Sequence, residues 1–224
     1  MKQLTRRQKI GWGLMAFFAI GIALFALGQY GGANPDNFFP QQRENYEANI
    51  VGLLIHIFGG AVALLLGPFL FLPATRQKKR LNWHRWLGRI YMISILFGGL
   101  SSFYIATFAH GGLPSTIGLM SLATLWLYTV GKAYTHIRNK DVQAHRRWMI
   151  RNYALTFSAV TLRLYLGLGT ALVMTTGLFS ATFTDVYITT TWISWVPNLI
   201  FAEWLINRQQ RKQNGTRTSL AAAD

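Results

Sequence analysis

Apolar residues collect into six long stretches along the chain: Ile10 to Gly28, Ile50 to Pro73, Ile90 to Ala109, Thr116 to Thr135, Asn152 to Gly177 and Tyr187 to Asn207. A helix needs roughly 20 apolar residues to cross the hydrocarbon core of a bilayer, and each stretch is near that length. The sixth is the most dilute, because Thr189, Thr190, Thr191, Asn198 and Glu203 interrupt it. Its Trp192, Trp195 and Trp204 lie toward its two ends, as interfacial aromatics do. The pattern predicts an all-α, polytopic integral membrane helix bundle with six transmembrane helices. Helices two to five should form a four-helix core, with the first and sixth peripheral to it.

Composition sharpens this picture once the charges are located. Of 224 residues, 51% are hydrophobic and 13% charged, yet 22 Lys and Arg against 7 Asp and Glu give a net charge of +15. Four basic residues precede the first stretch (Lys2, Arg6, Arg7, Lys9), and six follow the second (Arg76, Lys78, Lys79, Arg80, Arg85, Arg89). Five follow the fourth (Arg138, Lys140, Arg146, Arg147, Arg151) and four follow the sixth (Arg208, Arg211, Lys212, Arg217). The alternate connections hold Arg43 alone. By the positive-inside rule this asymmetry orients both termini toward the cytoplasm, in a multi-pass protein of the bacterial inner membrane. The basic loops should meet anionic headgroups on that side. Nucleic acid is excluded as a partner, because the charge is an orientation signal and not a polar binding face. The absence of cysteine excludes disulfides, iron–sulfur clusters and thiolate metal sites.

The expected organisation is an N-terminal tail and first anchor (1–28), an external loop (29–49) and a membrane core (50–177). An external loop with the sixth helix (178–207) and a basic cytoplasmic tail (208–224) complete it; the polar tail from Asn207 is expected to be disordered. The first stretch also resembles a signal peptide ending at Ala26-Leu27-Gly28, but its length favours an uncleaved anchor. A short repeat is visible. Trp83-His84-Arg85-Trp86-Leu87-Gly88-Arg89 opens the third stretch, and His145-Arg146-Arg147-Trp148-Met149-Ile150-Arg151 opens the fifth. Duplication of a helical hairpin and convergence on basic interfacial loops both account for it.

Two residues inside the stretches carry candidate chemistry. His56 sits on a stripe of small residues, Gly52, Gly59, Gly60, Ala63 and Gly67, that lets a helix or a flat ligand approach closely. An intramembrane histidine is costly unless partnered, so it reads as a haem or metal ligand, a proton carrier, or an inter-helix hydrogen bond. Arg163 shares a face with Asn152, Thr156, Ala159, Gly167 and Thr170 and has no carboxylate near it in stretches two to five. Its partner is then either a propionate, quinone oxygen or anionic lipid, or backbone carbonyls and water. His84 and His145, at the basic starts of their helices, could share a metal or haem from opposite sides, or meet lipid phosphates. Arg85, Arg89, Trp148 and Arg151 flank them. No phosphate loop, zinc-protease motif or nucleophile elbow is present, so hydrolase and kinase chemistry has no support.

Taken in order, several of these residues form a recognisable set. They are His56, Gly59-Gly60, Gly67-Pro68-Phe69, His84-Arg85, Gly88-Arg89, Tyr91, His145-Arg146, Trp148-Met149, Arg151 and Ala159-Val160-Thr161-Leu162-Arg163. The set resembles the bacterial membrane-protein family known as domain of unknown function 2306, over roughly half the chain. The resemblance implies several spans and brings no substrate, reaction or cofactor. A looser likeness links the core to cytochrome b561-type haem-binding bundles, although only His56 lies clearly inside a span. The expected functions are therefore a redox-linked protein holding haem b or a quinone, a carrier or sensor of an anionic lipid or small molecule, and an assembly subunit docking another membrane protein.

Overall fold

The computed structural model describes residues 5–177 and 181–221. Lys2 of the N-terminal basic set lies outside the described residues, as do the side chains of Lys212 and Arg217. Within the described residues the chain is helical throughout, with no strand. The helices are α1 (Arg6–Tyr30), α2 (Arg43–Ala48), α3 (Ile50–Phe71), α4 (Leu81–Ala106), α5 (Leu113–Arg138), α6 (Val142–Thr156), α7 (Ser158–Thr176), α8 (Phe183–Ile193) and α9 (Val196–Ala221). Five helical runs are long and apolar enough to cross a membrane: Arg6–Tyr30, Ile50–Phe71, Lys78–Ala106, Leu113–Arg138 and Val142–Thr176. Large apolar side chains such as Phe17, Ile93, Phe97 and Leu168 point outward, as expected for a surface solvated by lipid.

Three expectations change. The fifth stretch is two helices, α6 and α7, that meet at Phe157. No Pro or Gly marks the break. Thr156 Oγ1 instead donates to the Asn152 carbonyl, the back-bonding by which Ser and Thr bend helices. The sixth stretch is also divided, into α8 and α9, with Pro197 in the first turn of α9. The polar tail is an extension of α9 as far as Ala221, so it is helical where disorder was expected.

The two broken runs lie side by side, α7 against α8 and α6 against α9. Asn198 of α9 donates to the Ala154 carbonyl at 3.3 Å and to Thr161 Oγ1 at 3.1 Å. Thr161 Oγ1 in turn donates to the Ser194 carbonyl at 2.5 Å. Each break thus has its backbone satisfied by the other run, which lipid cannot do. Farther toward the basic end, Arg151 and Glu203 form a two-point ion pair, with Arg151 Nη2 2.8 Å from Glu203 Oε2.

Pro68 lies inside α3 and has no N–H for the Leu64 carbonyl. The Tyr153 hydroxyl donates to that carbonyl at 3.3 Å, and Gly67 leaves room for the tyrosine ring, which any Cβ there would strike. Trp12 Nε1 of α1 donates to the Pro68 carbonyl at 2.8 Å. The Gly-Pro pair is therefore a junction of three helices.

The centre of the bundle is polar. Asn152 is fully buried and ties three helices together. Its Nδ2 donates to the Trp126 carbonyl and to Thr129 Oγ1, each at 2.9 Å, and its Oδ1 accepts from Tyr91 Oη at 2.7 Å. Trp126 Nε1 donates to Thr156 Oγ1 at 2.9 Å. Asn152→Ala removes all three of these hydrogen bonds between helices from the buried interior and should cost about 1–3 kcal/mol. A lowered melting temperature in detergent is expected; an unchanged one would remove the network from its structural role.

Candidate functional site

Above the Asn152 network, at the end away from the basic loops, lies a cavity of about 870 Å³. Its floor includes Trp126 and Thr156. Its walls come from α1 (Ile22, Phe25), α3 (Leu53, His56, Gly60), α4, α5 and α7 (Arg163, Gly167, Thr170), with Tyr187 of α8. Phe39 to Gln42 and Tyr46 cover it. Helices α1 and α8, expected at the periphery, thus form part of its wall.

Residue spacing explains how the helices make room. The buried positions of α1, Ala16, Ala19, Ala23, Ala26 and Tyr30, recur at three to four residues and give it a narrow docking face. The small-residue stripe on α3 divides its work. Gly59 meets Gly98 of α4 so closely that a Cβ would stand 2.5 Å from the Ser94 carbonyl and 2.9 Å from Gly98 Cα. Gly60, one residue on, faces open space and lines the cavity.

The Gly59–Gly98 approach fixes His56. Its Nδ1 lies 3.1 Å from the Gly98 carbonyl, which can only accept, so the proton sits on Nδ1. Nε2 makes no hydrogen bond among the described residues, and His56 lines the cavity. Arg163 reaches the same cavity from α7. Its Nη1 donates to the Ala159 carbonyl of its own helix at 2.9 Å, and no ion pair to it is formed among the described residues. Among the described residues, Arg163 is also the one formally charged residue in the cavity lining. Thr170 Oγ1, in the same lining, is buried without a hydrogen-bond partner among the described residues.

The cover brings polar groups that the sequence did not single out. Tyr30, Phe38 and Tyr46 pack ring against ring. Burial pushes the Tyr46 phenol well above its ordinary range, so it is a neutral hydroxyl. Tyr30, Tyr46 and Tyr187 all line the cavity with Arg163. These tyrosines lie far apart in the sequence, and no local pattern joins them. The cover is held by Arg43, which bridges Asp36 and Glu47, and by Asn45 Nδ2 donating to the Phe108 carbonyl at 3.1 Å.

His84 and His145 sit at the opposite, basic end and do not line this cavity. His145 Nδ1 is 2.8 Å from the Ala133 carbonyl, while His84 Nδ1 is enclosed without a partner among the described residues. Nearby Arg76, outside the spans, is lowered from its ordinary value first by burial and then by Arg146. Among the described residues no group of three or more His, Asp or Glu is placed to hold a metal ion. The four candidates therefore divide between the two ends of the molecule: His56 and Arg163 line the cavity, and His84 and His145 lie at the basic end. Their flanking residues show the repeat more fully than the sequence reading did. The Arg89 guanidinium lies 4.9 Å from the Trp86 ring, and that of Arg151 lies 4.6 Å from Trp148. Two residues on, Tyr91 and Tyr153 are both buried and both hydrogen-bond across helices. The shared pattern is Trp-x-x-Arg-x-Tyr. Arg85 is exposed at the same end.

The tight Gly59 contact and the open Gly60 position predict opposite outcomes for the same change. Gly59→Ala should cost about 1–3 kcal/mol by overpacking and lower the melting temperature. Gly60→Ala should leave it unchanged; equal shifts would contradict the close approach.

No curated protein and no solved structure matches the chain. The family described as "Predicted membrane protein (DUF2306)" matches residues 53–206, which contain the cavity residues of α3 to α8 and both His-Arg motifs. With that match over more than half its length, the chain is a multi-pass membrane protein and belongs to the DUF2306 family.

Proposed function

We propose that this protein binds an amphipathic molecule with an anionic group in the covered cavity, as a carrier or sensor. The observation that carries the reading is Arg163, an enclosed guanidinium with one hydrogen bond to its own helix and no carboxylate partner among the described residues. An enclosed charge costs several kcal/mol unless it is compensated. A ligand anion supplies the compensation, and the planar guanidinium donates to two of its oxygens at once. His56 Nε2, with the proton held on Nδ1, accepts a hydrogen bond from a ligand hydroxyl. The aliphatic and aromatic walls take the apolar part.

A redox cofactor, haem b or a quinone, is the second reading, and His56 is the observation in its favour. An imidazole anchored through Nδ1 to a carbonyl, with Nε2 unengaged, has the orientation of a metal ligand. Among the described residues no second histidine lines the cavity, so they do not supply the paired ligation of cytochrome b561-type bundles there. Joint ligation by His84 and His145 would need a separate site at the basic end.

We also propose that the run α8–α9 is a sixth crossing beside α7–α6. Both termini then face the cytoplasm of a bacterial inner membrane, the basic loops meet anionic headgroups, and the cavity opens in the outer half of the bilayer.

Wild-type protein extracted gently should retain an anionic lipid or small molecule, identified by mass spectrometry. Arg163→Gln should lower that retention by roughly tenfold or more, the loss expected for a charge-assisted hydrogen bond. Equal retention refutes the reading. A Soret band that vanishes in His56→Ala would transfer the site to the redox reading. A topology reporter inserted at Gly111 should signal from outside the cytoplasm; a cytoplasmic signal would overturn the six-crossing arrangement.

A further inference from the structure

The cover and the exposed apolar part of the lining of α1 and α7 lie on different sides of the cavity. The cover is built on the Tyr30–Phe38–Tyr46 ring cluster and held to the end of α4 through Asn45 and the Phe108 carbonyl. The Tyr104 hydroxyl adds a second tie, donating to Asn49 Oδ1 at 2.5 Å. Between α1 and α7 the packing is sparse. There the lining residues Phe25, Leu164, Gly167 and Met174 are exposed at the molecular surface. All four are apolar or side-chain-free, and neighbouring exposed residues such as Phe18 and Leu168 are apolar too. A gap so bordered would be a doorway into hydrocarbon.

The lining also limits the charge of what enters. Among the described residues it contains one arginine and no Asp, Glu or Lys. One enclosed positive charge is balanced by a single negative charge. A phosphomonoester dianion leaves one charge over, and an ammonium group would face Arg163 with no carboxylate to receive it. The polar groups around Arg163, namely Gln42 and the hydroxyls of Tyr30, Tyr46 and Tyr187, are neutral and suit an uncharged polyol.

From these features, and resting on the anion-binding reading above, we infer that the ligand is a membrane glycerophospholipid with one phosphodiester charge and an uncharged headgroup. It enters sideways between α1 and α7, its phosphate meets Arg163, its headgroup lies under the 39–46 cover, and its acyl chains occupy the apolar walls and the doorway.

The test uses the full-length protein, stripped of lipid and then offered defined probes. Phosphatidylglycerol and phosphatidylethanolamine are supplied in mixed micelles and read by native mass spectrometry. Glycerophosphoglycerol and inorganic phosphate are supplied in water and read by calorimetry. Phosphatidylglycerol should be retained over phosphatidylethanolamine by about tenfold. That preference should disappear in Arg163→Gln. It should also fall in Gly167→Trp, which plugs the doorway at a position with open space around its Cβ. Met174→Trp repeats the plug if Gly167→Trp fails to fold. Glycerophosphoglycerol and phosphate should bind far more weakly than the lipid.

Equal retention of the two lipids, both dependent on Arg163, overturns the charge class. Tight binding of either water-soluble probe, unaffected by the plug, overturns the lipid and its route but leaves the anion-binding reading standing. If no probe depends on Arg163, both fall together.

Discussion

Asn152 is the constraint on which the rest of the molecule depends. A carboxamide in the middle of a membrane bundle must have its donors and acceptor met by protein, because lipid offers none. It meets them on α4 and α5 at once, through Tyr91, the Trp126 carbonyl and Thr129. That triple engagement sets the register of α4, α5 and α6. It also divides the interior. Below it lie the cation–π pairs and histidines of the basic end; above it the helices diverge and the cavity begins.

The same rule, that no backbone polar group goes unmet in lipid, explains the irregular parts. Pro68 costs α3 a hydrogen bond and Tyr153 restores it. The break at Phe157 frees a carbonyl at Ala154 that Asn198 takes. The run α6–α7 therefore has α8–α9 beside it as its polar partner, although α8–α9 is not among the five long apolar runs. Polar residues that look like weaknesses in a hydropathy pattern are here the partners of a broken neighbour.

Much of this was legible in the sequence, and the failures are instructive. The long apolar helices followed from length and composition, because lipid solvation imposes a single solution on such segments. His56 and Arg163 stood out because burying either is expensive, and they line the same cavity. The break at Phe157 was not legible, since no Pro or Gly marks it and its cause is a threonine hydroxyl turned onto its own helix. Nor was the cover: Gln42, Tyr46 and Tyr187 acquire their place only through tertiary packing. The Trp-x-x-Arg-x-Tyr repeat was present in the letters, but the tyrosine gained meaning only once both hydroxyls were seen crossing between helices.

The pairing of α1 with α7 along one side of the cavity has a consequence for biogenesis. The two helices are separated by most of the chain, so a ribosome delivers the first long before the second. Helix α1 can dock on α3 early, through Trp12 and the Pro68 carbonyl. The compartment itself does not exist until residues 158–176 have entered the membrane and carried Arg163 into place. A nascent chain therefore carries His56 through several insertion steps with one side of its surroundings missing, and after the arginine arrives only Phe183 and Tyr187 of α8 remain to be added to the described wall.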